Sequence, residues 1–409
     1  MSLAMKNGRA VYAASNGGNR VNENGHAAPQ VWANGTLDGL LSAKDYAYEA
    51  LNTTREFAKA VTKSFYGKLP DYTYFNGCSN GGRNAYIAAE RWPLEYDGIV
   101  SGCMSMDTEG LAAAWMNLGA RNATPAMPSD IQWAAITHAA ILACDALDGV
   151  TDGIIANQSA CNFDAGTLQC GLSTASADST KCLTAEQVQS VKDIMSDLKL
   201  ANGTTIYSGF TWADWASYST KWAALGGGFG VLATGDLAWY DNSLKQKSFT
   251  LDHDYYLFQY GLRAVGASVD INKVASYVAS GKKMISWHAG SDNLVSLNDH
   301  TRNYSKMTDS AKGLGLANPS TNTRFFVLPG ASHGEGFFLT QVNWFDAITN
   351  WVEKGIPPEQ LVYNRVERDK EDPLKVKLRT LPVCQHPKYP RYKGTGDMNA
   401  AESFICTNP

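Results

Sequence analysis

No apolar run in this 409-residue chain approaches 18 residues, so no transmembrane helix is expected. Basic charge is not in excess either. Lys and Arg total 35 against 39 Asp and Glu, a net charge of −4. A phosphate-backbone binder needs a basic surface, so no nucleic-acid partner is expected. Charged residues are few, 18% against 44% hydrophobic, which excludes a disordered chain and suffices for a large core. Internal repeats and low-complexity tracts are missing. The first residues, Met1 to Lys6, lack the basic region and apolar stretch of a secretory signal. The eight cysteines include no Cys-x-x-Cys pair and no zinc-like His pattern.

The placement of those cysteines carries more than their number. Cys144, Cys161, Cys170 and Cys182 fall in one loop-rich stretch, and Cys384 and Cys406 bracket a C-terminal tail of little periodicity. Irregular segments with few core contacts gain most from crosslinks. This points to an exported, oxidised protein, secreted or periplasmic, whose signal peptide is not within the chain. Eight buried free thiols in a cytosolic enzyme is the competing reading.

The length exceeds one ordinary domain, so a large α/β domain with an insertion, or two domains, is expected. Arg9–Ser15 reads as a short apolar strand. Asp45–Tyr66 reads as a helix, with Ala47, Leu51, Ala58, Val61 and Phe65 at helical spacing and Gly67 as its stop. A strand at Asp71–Gly77, a helix at Arg83–Trp92 and a strand at Tyr96–Gly102 follow. Strand, helix, strand in alternation implies a parallel sheet. The pattern breaks near Ser105 and resumes at Gly281, with strands at Lys282–Trp287 and Arg324–Leu328. A helix at Phe337–Lys354 ends at Gly355. An interruption of roughly 175 residues is far longer than a loop. The expected division is a catalytic domain from 1–104 and 282–409, with a lid domain from 105–281.

Gly77-Cys78-Ser79-Asn80-Gly81 matches Gly-x-Ser-x-Gly between an expected strand and an expected helix. A strand turning sharply into a helix leaves Ser79 strained and exposed, and glycines on each side avoid clashes. The Asn80 N–H at the helix start is then placed to donate to an oxyanion.

A serine nucleophile needs a base, and the base an orienter. In such folds the chain order is Ser, acid, His, with the last two on loops after later strands. Asp292 follows the Lys282–Trp287 strand, and His333 follows Arg324–Leu328. His288 lies too early for the base and is read as lining the site. Asp299 is the rival acid, but it falls at a helix start and reads as a cap. His26, His138, His253, His300 and His386 read as surface or core residues.

Asp145, Asp148 and Asp152 fall within eight residues, with Gly149 and Gly153 between and after them. Calcium takes six to eight hard oxygens, so these carboxylates with the carbonyls of Val150 and Ile154 form a candidate Ca2+ site. The spacing is not that of an EF-hand, and a solvated acidic turn is the alternative.

The run Tyr74–Arg83, then Arg91-Trp92-Pro93 and Tyr96-Asp97-Gly98-Ile99, resembles the tannase and feruloyl esterase family. The resemblance continues through Cys144–Gly153 and reaches Cys384, Arg391-Tyr392-Lys393-Gly394 and Cys406. It implies an α/β-hydrolase fold with a large inserted lid, esters of aromatic acids as small-molecule substrates, and Ser79, Asp292 and His333 as the triad. It also implies disulfides Cys144–Cys161, Cys170–Cys182 and Cys384–Cys406. Two departures stand out. Family members bond the cysteine before the nucleophile to one after the catalytic His, but Gly334 follows His333 here. Cys103 ends the neighbouring strand, so Cys78–Cys103 is the expected replacement. The family's Gly-rich oxyanion loop lies upstream of the strand matching Arg9–Ser15, so the N-terminal strands and one oxyanion donor are expected to be missing or replaced near Gly17-Gly18.

Trp212, Trp215, Trp222, Phe229 and Trp239 are candidates for stacking on an aromatic acyl group, although lid core is the weightier reading for any one of them. Three functions remain open: an aromatic-ester hydrolase, a weak or inactive calcium-stabilised binding module, and another serine hydrolase such as a peptidase or thioesterase.

Overall fold

The computed structural model describes residues 10–17, 32, 36–122, 124–212, 215, 223–239, 249–337, 341–368 and 376–409. The element order starts with helix α1 (Leu37–Lys44), which runs through a π turn at Asp45–Glu49 into α2 (Ala50–Tyr66). Gly67, at φ 75°, ends α2 in the left-handed conformation. Strand β1 (Tyr74–Cys78), helix α3 (Asn80–Arg91) and strand β2 (Gly98–Gly102) follow as one βαβ unit.

Downstream come α4 (Thr108–Asn122), α5 (Asp130–Cys144), α6 (Ala185–Met195) and a small hairpin, β3 (Leu198–Lys199) with β4 (Thr205–Tyr207). Then come α7 (Ala223–Thr234), α8 (Leu251–Val265) and α9 (Ile271–Ala279). Strand β5 (Lys283–Ala289), α10 (Leu297–Gly313), β6 (Thr323–Leu328) and α11 (Trp344–Lys354) return to the main sheet. The chain finishes with β7 (Gln360–Arg368), β8 (Val376–Gln385), β9 (Tyr389–Tyr392) and β10 (Phe404–Thr407).

Among the described residues, the main sheet has the order β1-β2-β5-β6-β8-β7. The first four strands are parallel, and β8 and β7 are antiparallel. The central strands β2 and β5 are buried nearly throughout, as a sheet covered on both faces requires. One face is covered by α3, α9 and α10, through Tyr86, Ile87, Val274, Tyr277, Val278 and Met307. The other is covered by α11, whose Trp344 stacks on Trp287 at 5.3 Å with an interplanar angle of 8°. The segment between β2 and β5 has its own apolar cluster, including Leu111, Trp115, Trp133, Phe229, Trp239 and Phe258.

Several expectations change. Ala10–Asn16 form no strand, and Val11 and Tyr12 are exposed. A strand needs a ladder partner, and apolar composition alone does not provide one. The expected apolar face of α2 is only partly buried. Ala47, in the π turn, is inside and Leu51 and Ala58 are half-buried, but Val61 and Phe65 are exposed. Helix α11 starts at Trp344 rather than Phe337, because the Asn343 side chain caps it by accepting from the Asp346 N–H. Phe338 lies outside the described residues. The C-terminal tail is not irregular. It contributes β8 to the main sheet and forms the β9–β10 hairpin.

Candidate active site

Ser79 stands at the turn between β1 and α3, with φ 59° and ψ −124°. A non-glycine residue adopts this backbone only where its surroundings impose it. Here the Ser79 N–H donates to the Gly102 carbonyl at 2.9 Å, while the Ser79 carbonyl accepts the Arg83 N–H at 3.0 Å. A Cβ at Gly77 would meet the Gly81 carbonyl oxygen at 2.3 Å, and one at Gly82 would meet that of Gly102 at 2.3 Å. A Cβ at Gly81 would meet nothing within 4 Å. Close approach therefore requires glycine at 77 and 82, not at 81.

The loops after β5 and β6 are fastened together. Gly290 N–H donates to the Leu328 carbonyl at 2.7 Å, and Ser291 N–H to Ala331 at 2.8 Å. This brings Asp292 beside His333. Asp292 Oδ2 accepts from His333 Nδ1 at 2.7 Å, and His333 Nε2 lies 2.8 Å from Ser79 Oγ. Burial alone would raise the Asp292 carboxyl pKa, but the His333 imidazole, His288 and the Val295 amide outweigh it and hold the carboxyl below its usual range. Burial would likewise lower the His333 pKa. The charge and hydrogen bond of Asp292 prevail and raise it above the ordinary value.

The order Ser79, Asp292, His333, carried on the ends of parallel strands, is the arrangement of an α/β-hydrolase. A family model described as tannase and feruloyl esterase matches residues 1–407. The chain belongs to the tannase and feruloyl esterase family. Its activity class is carboxylic ester hydrolysis. An uncharacterized esterase from Xanthomonas campestris pv. campestris is 30% identical over 100% of this chain and 76% of its own length. The mono(2-hydroxyethyl) terephthalate hydrolase of Piscinibacter sakaiensis is 28% identical over 89% of this chain and 68% of its own. In fold, the crystal structure of feruloyl esterase B from Aspergillus oryzae matches with a TM-score of 0.76 at 24% identity. That match covers 90% of this chain and 75% of the other.

In this tannase-family chain the cysteines pair as Cys144–Cys161, Cys170–Cys182, Cys384–Cys406 and Cys78–Cys103. The last has a Cα separation of 5.3 Å, because β1 and β2 run side by side with Cys78 opposite Gly102. Arg83 was not read as a site residue. Its fully buried guanidinium donates to the carbonyls of Tyr46, Ala47 and Ala267 and to Asn80 Oδ1, at 2.8–3.2 Å. It thereby braces the first turn of α3. Its signal is the position itself, an Arg in the first turn of the elbow helix, four residues after Ser79.

Other expected site residues settle differently. His288 is a fully buried residue of β5, with its Nε2 3.5 Å from Asp292 Oδ2. The cap of α10 is Ser296, whose Oγ accepts the Asp299 N–H, while Asp299 itself lies buried between Ser105, Ser208, Arg302 and Asn303. His138 and His253 are exposed and His300 is core. Trp215 stacks on Trp133 at 4.9 Å, and Phe229 and Trp239 pack on Trp115 and Phe258, so these three are core of the inserted segment. Trp212 is half-buried against Phe163. Trp222, His26 and Gly18 lie outside the described residues. Gly17 N–H faces Ser15 Oγ at 3.3 Å.

The acidic loop follows α5. Asp145 accepts the amides of Asp152 at 3.1 Å and Gly153 at 2.8 Å, and Asp148 accepts that of Val150 at 3.2 Å. Gly149 and Gly153 have φ values of 95° and 84°, which lets the chain curl. Asp152 accepts the Ile154 amide at 3.0 Å and is ion-paired with Arg379 of β8. Burial and the charge of Asp145 push the Asp148 carboxyl up to about 6, against the pull of the Val150 amide. As arranged, no three His, Cys, Asp or Glu side chains among the described residues converge on a metal position, because Asp152 is turned to Arg379. The donor chemistry nonetheless fits a hard divalent cation, since one guanidinium is set against three carboxylates.

Proposed function

We propose that this esterase cleaves esters of aromatic acids, with feruloyl, galloyl and terephthaloyl esters as the substrate class, by way of a serine acyl-enzyme. The observation that carries the reading is the continuous path from Ser79 Oγ through His333 to Asp292, with contacts of 2.8 and 2.7 Å. The substrate class is supported by relatives named mono(2-hydroxyethyl) terephthalate hydrolase and probable feruloyl esterase B.

His333 removes the Ser79 proton as Oγ attacks the ester carbonyl. Asp292 fixes the imidazole tautomer and stabilises its cation. The Asn80 N–H, at the start of α3, donates to the tetrahedral oxyanion. His333 protonates the departing alcohol, and water then attacks the acyl-enzyme by the same route in reverse.

The segment 105–281 acts as the lid. It is anchored to the acid loop, with Trp115 Nε1 donating to the Leu294 carbonyl at 2.7 Å and Ser296 Oγ donating to Gly209 at 2.7 Å. Asp145, Asp148 and Asp152, with the carbonyls of Val150 and Ile154, are the residues that would hold a calcium ion, which would act there as a structural counter-charge. Four disulfides support a secreted or periplasmic setting. No helix among the described residues is long and apolar enough to cross a membrane.

The test is a panel of feruloyl, galloyl, terephthaloyl and aliphatic esters beside peptides, run with the parent chain and Ser79→Ala. Turnover of the aromatic esters, abolished by Ser79→Ala, is the expected result. Preference for peptides or aliphatic esters overturns the substrate class. Turnover that survives Ser79→Ala overturns the mechanism.

A further inference from the structure

Asp292 is gripped from two sides. Its Oδ1 accepts the amides of Leu294 and Val295, each at 2.9 Å, while Oδ2 faces His333. His288 Nε2 lies 3.5 Å from that same Oδ2 and 3.0 Å from the Val295 carbonyl. A carbonyl only accepts, so Nε2 of His288 carries a proton.

The other ring nitrogen of His288 faces His300 Nδ1 at 2.9 Å, and His300 Nε2 faces the Tyr86 hydroxyl at 2.7 Å. Two N–H groups cannot point at each other, so one nitrogen of the facing pair is a lone pair. Both rings are fully buried, and burial pushes both imidazoles below their ordinary value. With both neutral, only one proton arrangement satisfies every contact. Tyr86 donates to His300 Nε2, His300 Nδ1–H donates to His288 Nδ1, and His288 Nε2–H is left for Val295 and Asp292. Ser286 Oγ, 3.0 Å from the Tyr86 oxygen, closes the far end.

We propose that His288 is a positioning residue for Asp292, held by the Val295 carbonyl on one side and by His300 and Tyr86 on the other as the Nε2–H tautomer, so that the carboxylate meets a neutral N–H on that side. A cation there would compete with His333 for the charge of Asp292. A lone pair there would repel it. The relay thus reserves the carboxylate for His333. This rests on the assignment of Ser79, His333 and Asp292 as the reacting groups.

The ionisable groups around His288 are Asp292 and His333 from the two loops, and Asp299 and His300 from α10. Tyr86 of α3 and His386, just after β8, act on it through His300. Tyr207 of β4 faces Asp292 from the inserted segment.

The experiment is the pH dependence of kcat/KM, with kcat and KM resolved, for the parent chain, His288→Leu and His288→Gln, using a nitrophenyl ester. His288→Leu is expected to lower kcat by between about 10- and 100-fold with KM little changed, the scale set by misplacement of a catalytic group. Its acidic limb moves to higher pH, because Asp292 loses a competing donor and holds the His333 cation more tightly. His288→Gln restores an N–H and is expected to recover most of kcat. A folded His288→Leu with the parent pH profile and kcat overturns the proposal. If His288→Leu does not fold, the imidazole ¹⁵N shifts of the parent chain decide, because His288 is expected to carry its proton on Nε2, and a His288 protonated on Nδ1 overturns the lock. Ser79→Ala in the same assay separates the two levels. Activity surviving that change defeats the underlying reading, whereas loss of activity beside an unaffected His288→Leu defeats this proposal alone.

Discussion

Cys78, the residue before Ser79, is bonded to Cys103, the residue that follows β2. The bond closes a loop of sequence separation 25 around the whole elbow unit of β1, α3 and β2. It lies next to a backbone that is strained at Ser79, and Cys103 itself has φ 54°. Replacing both cysteines by Ala is expected to cost about 3.5 kcal/mol of stability, the loop-closure value for this length. The kcat is expected to fall more than KM changes, since the strained Ser79 keeps its backbone bonds to Gly102 and Arg83 but loses the crosslink beside it. Thermal melts and ester kinetics on the double variant check this. An unchanged kcat would mean that the Ser79 N–H bond to Gly102 is anchor enough.

The elbow glycines separate by role. Gly82→Ala drives a Cβ to 2.3 Å from the Gly102 carbonyl oxygen, a backbone atom with no rotamer to yield. Overpacking of this kind costs about 1–3 kcal/mol. Gly81→Ala meets nothing within 4 Å and sits in the first turn of α3, so helix propensity favours it by up to about 1 kcal/mol. Melting temperatures should therefore move in opposite directions, and a drop of similar size in both variants would contradict the geometry.

Where the sequence pattern was local, it was legible. The βαβ unit around Ser79 followed from an apolar strand, a motif and a helix in succession, and the ends of β5 and β6 placed Asp292 and His333. The reading failed where long-range pairing decides. The β7–β8 hairpin adds antiparallel strands to a parallel sheet, which strand–helix alternation does not encode. Ala10–Ser15 have strand-like composition but no ladder, and Val61 and Phe65 have helical spacing but no covering layer among the described residues. His288 stands beside Asp292 from within the sheet rather than from a loop, because β5 runs two residues further than expected.

The rise of the His333 pKa fixes a pH dependence. In the proposed mechanism the imidazole must be neutral to accept the Ser79 proton, so kcat/KM is expected to increase with pH through the folded pKa of His333. That pKa lies above the ordinary histidine value because Asp292 holds the cation. The same shift makes the His333–Asp292 pair stabilising below the ordinary value, and that contribution is lost as pH rises through the folded pKa. Asp292→Asn removes the charge and misplaces the tautomer. Its acidic limb is expected to move to lower pH and its kcat to drop roughly 10⁴-fold, as in other Ser-His-Asp sites. A pH–rate profile of both proteins checks the sign, and a limb that rises in Asp292→Asn would be incompatible with it.

The acidic loop offers a choice between two counter-charges. Arg379 is nearly buried and paired with Asp152, while Asp145 and Asp148 are buried on the same turn. If calcium completes the site, chelation exposes carboxylates that repel one another in a poorly hydrated pocket. The melting temperature then falls on adding chelator and recovers with added calcium, with about 2.7 kcal/mol of stabilisation at a hundredfold excess over Kd. Asp148→Asn should weaken that response, because its carboxyl, pushed up to about 6, is the group a cation would relieve most. Lowering the pH through 6 should weaken calcium binding for the same reason, as protons and metal compete for one oxygen. If Arg379 is the sole counter-ion, chelator has no effect. Arg379→Met then destabilises by about 3–5 kcal/mol, the cost of leaving a buried charge without its partner. Differential scanning with and without chelator, on the parent chain and both variants, distinguishes these outcomes, and a chelator-insensitive parent ends the calcium assignment.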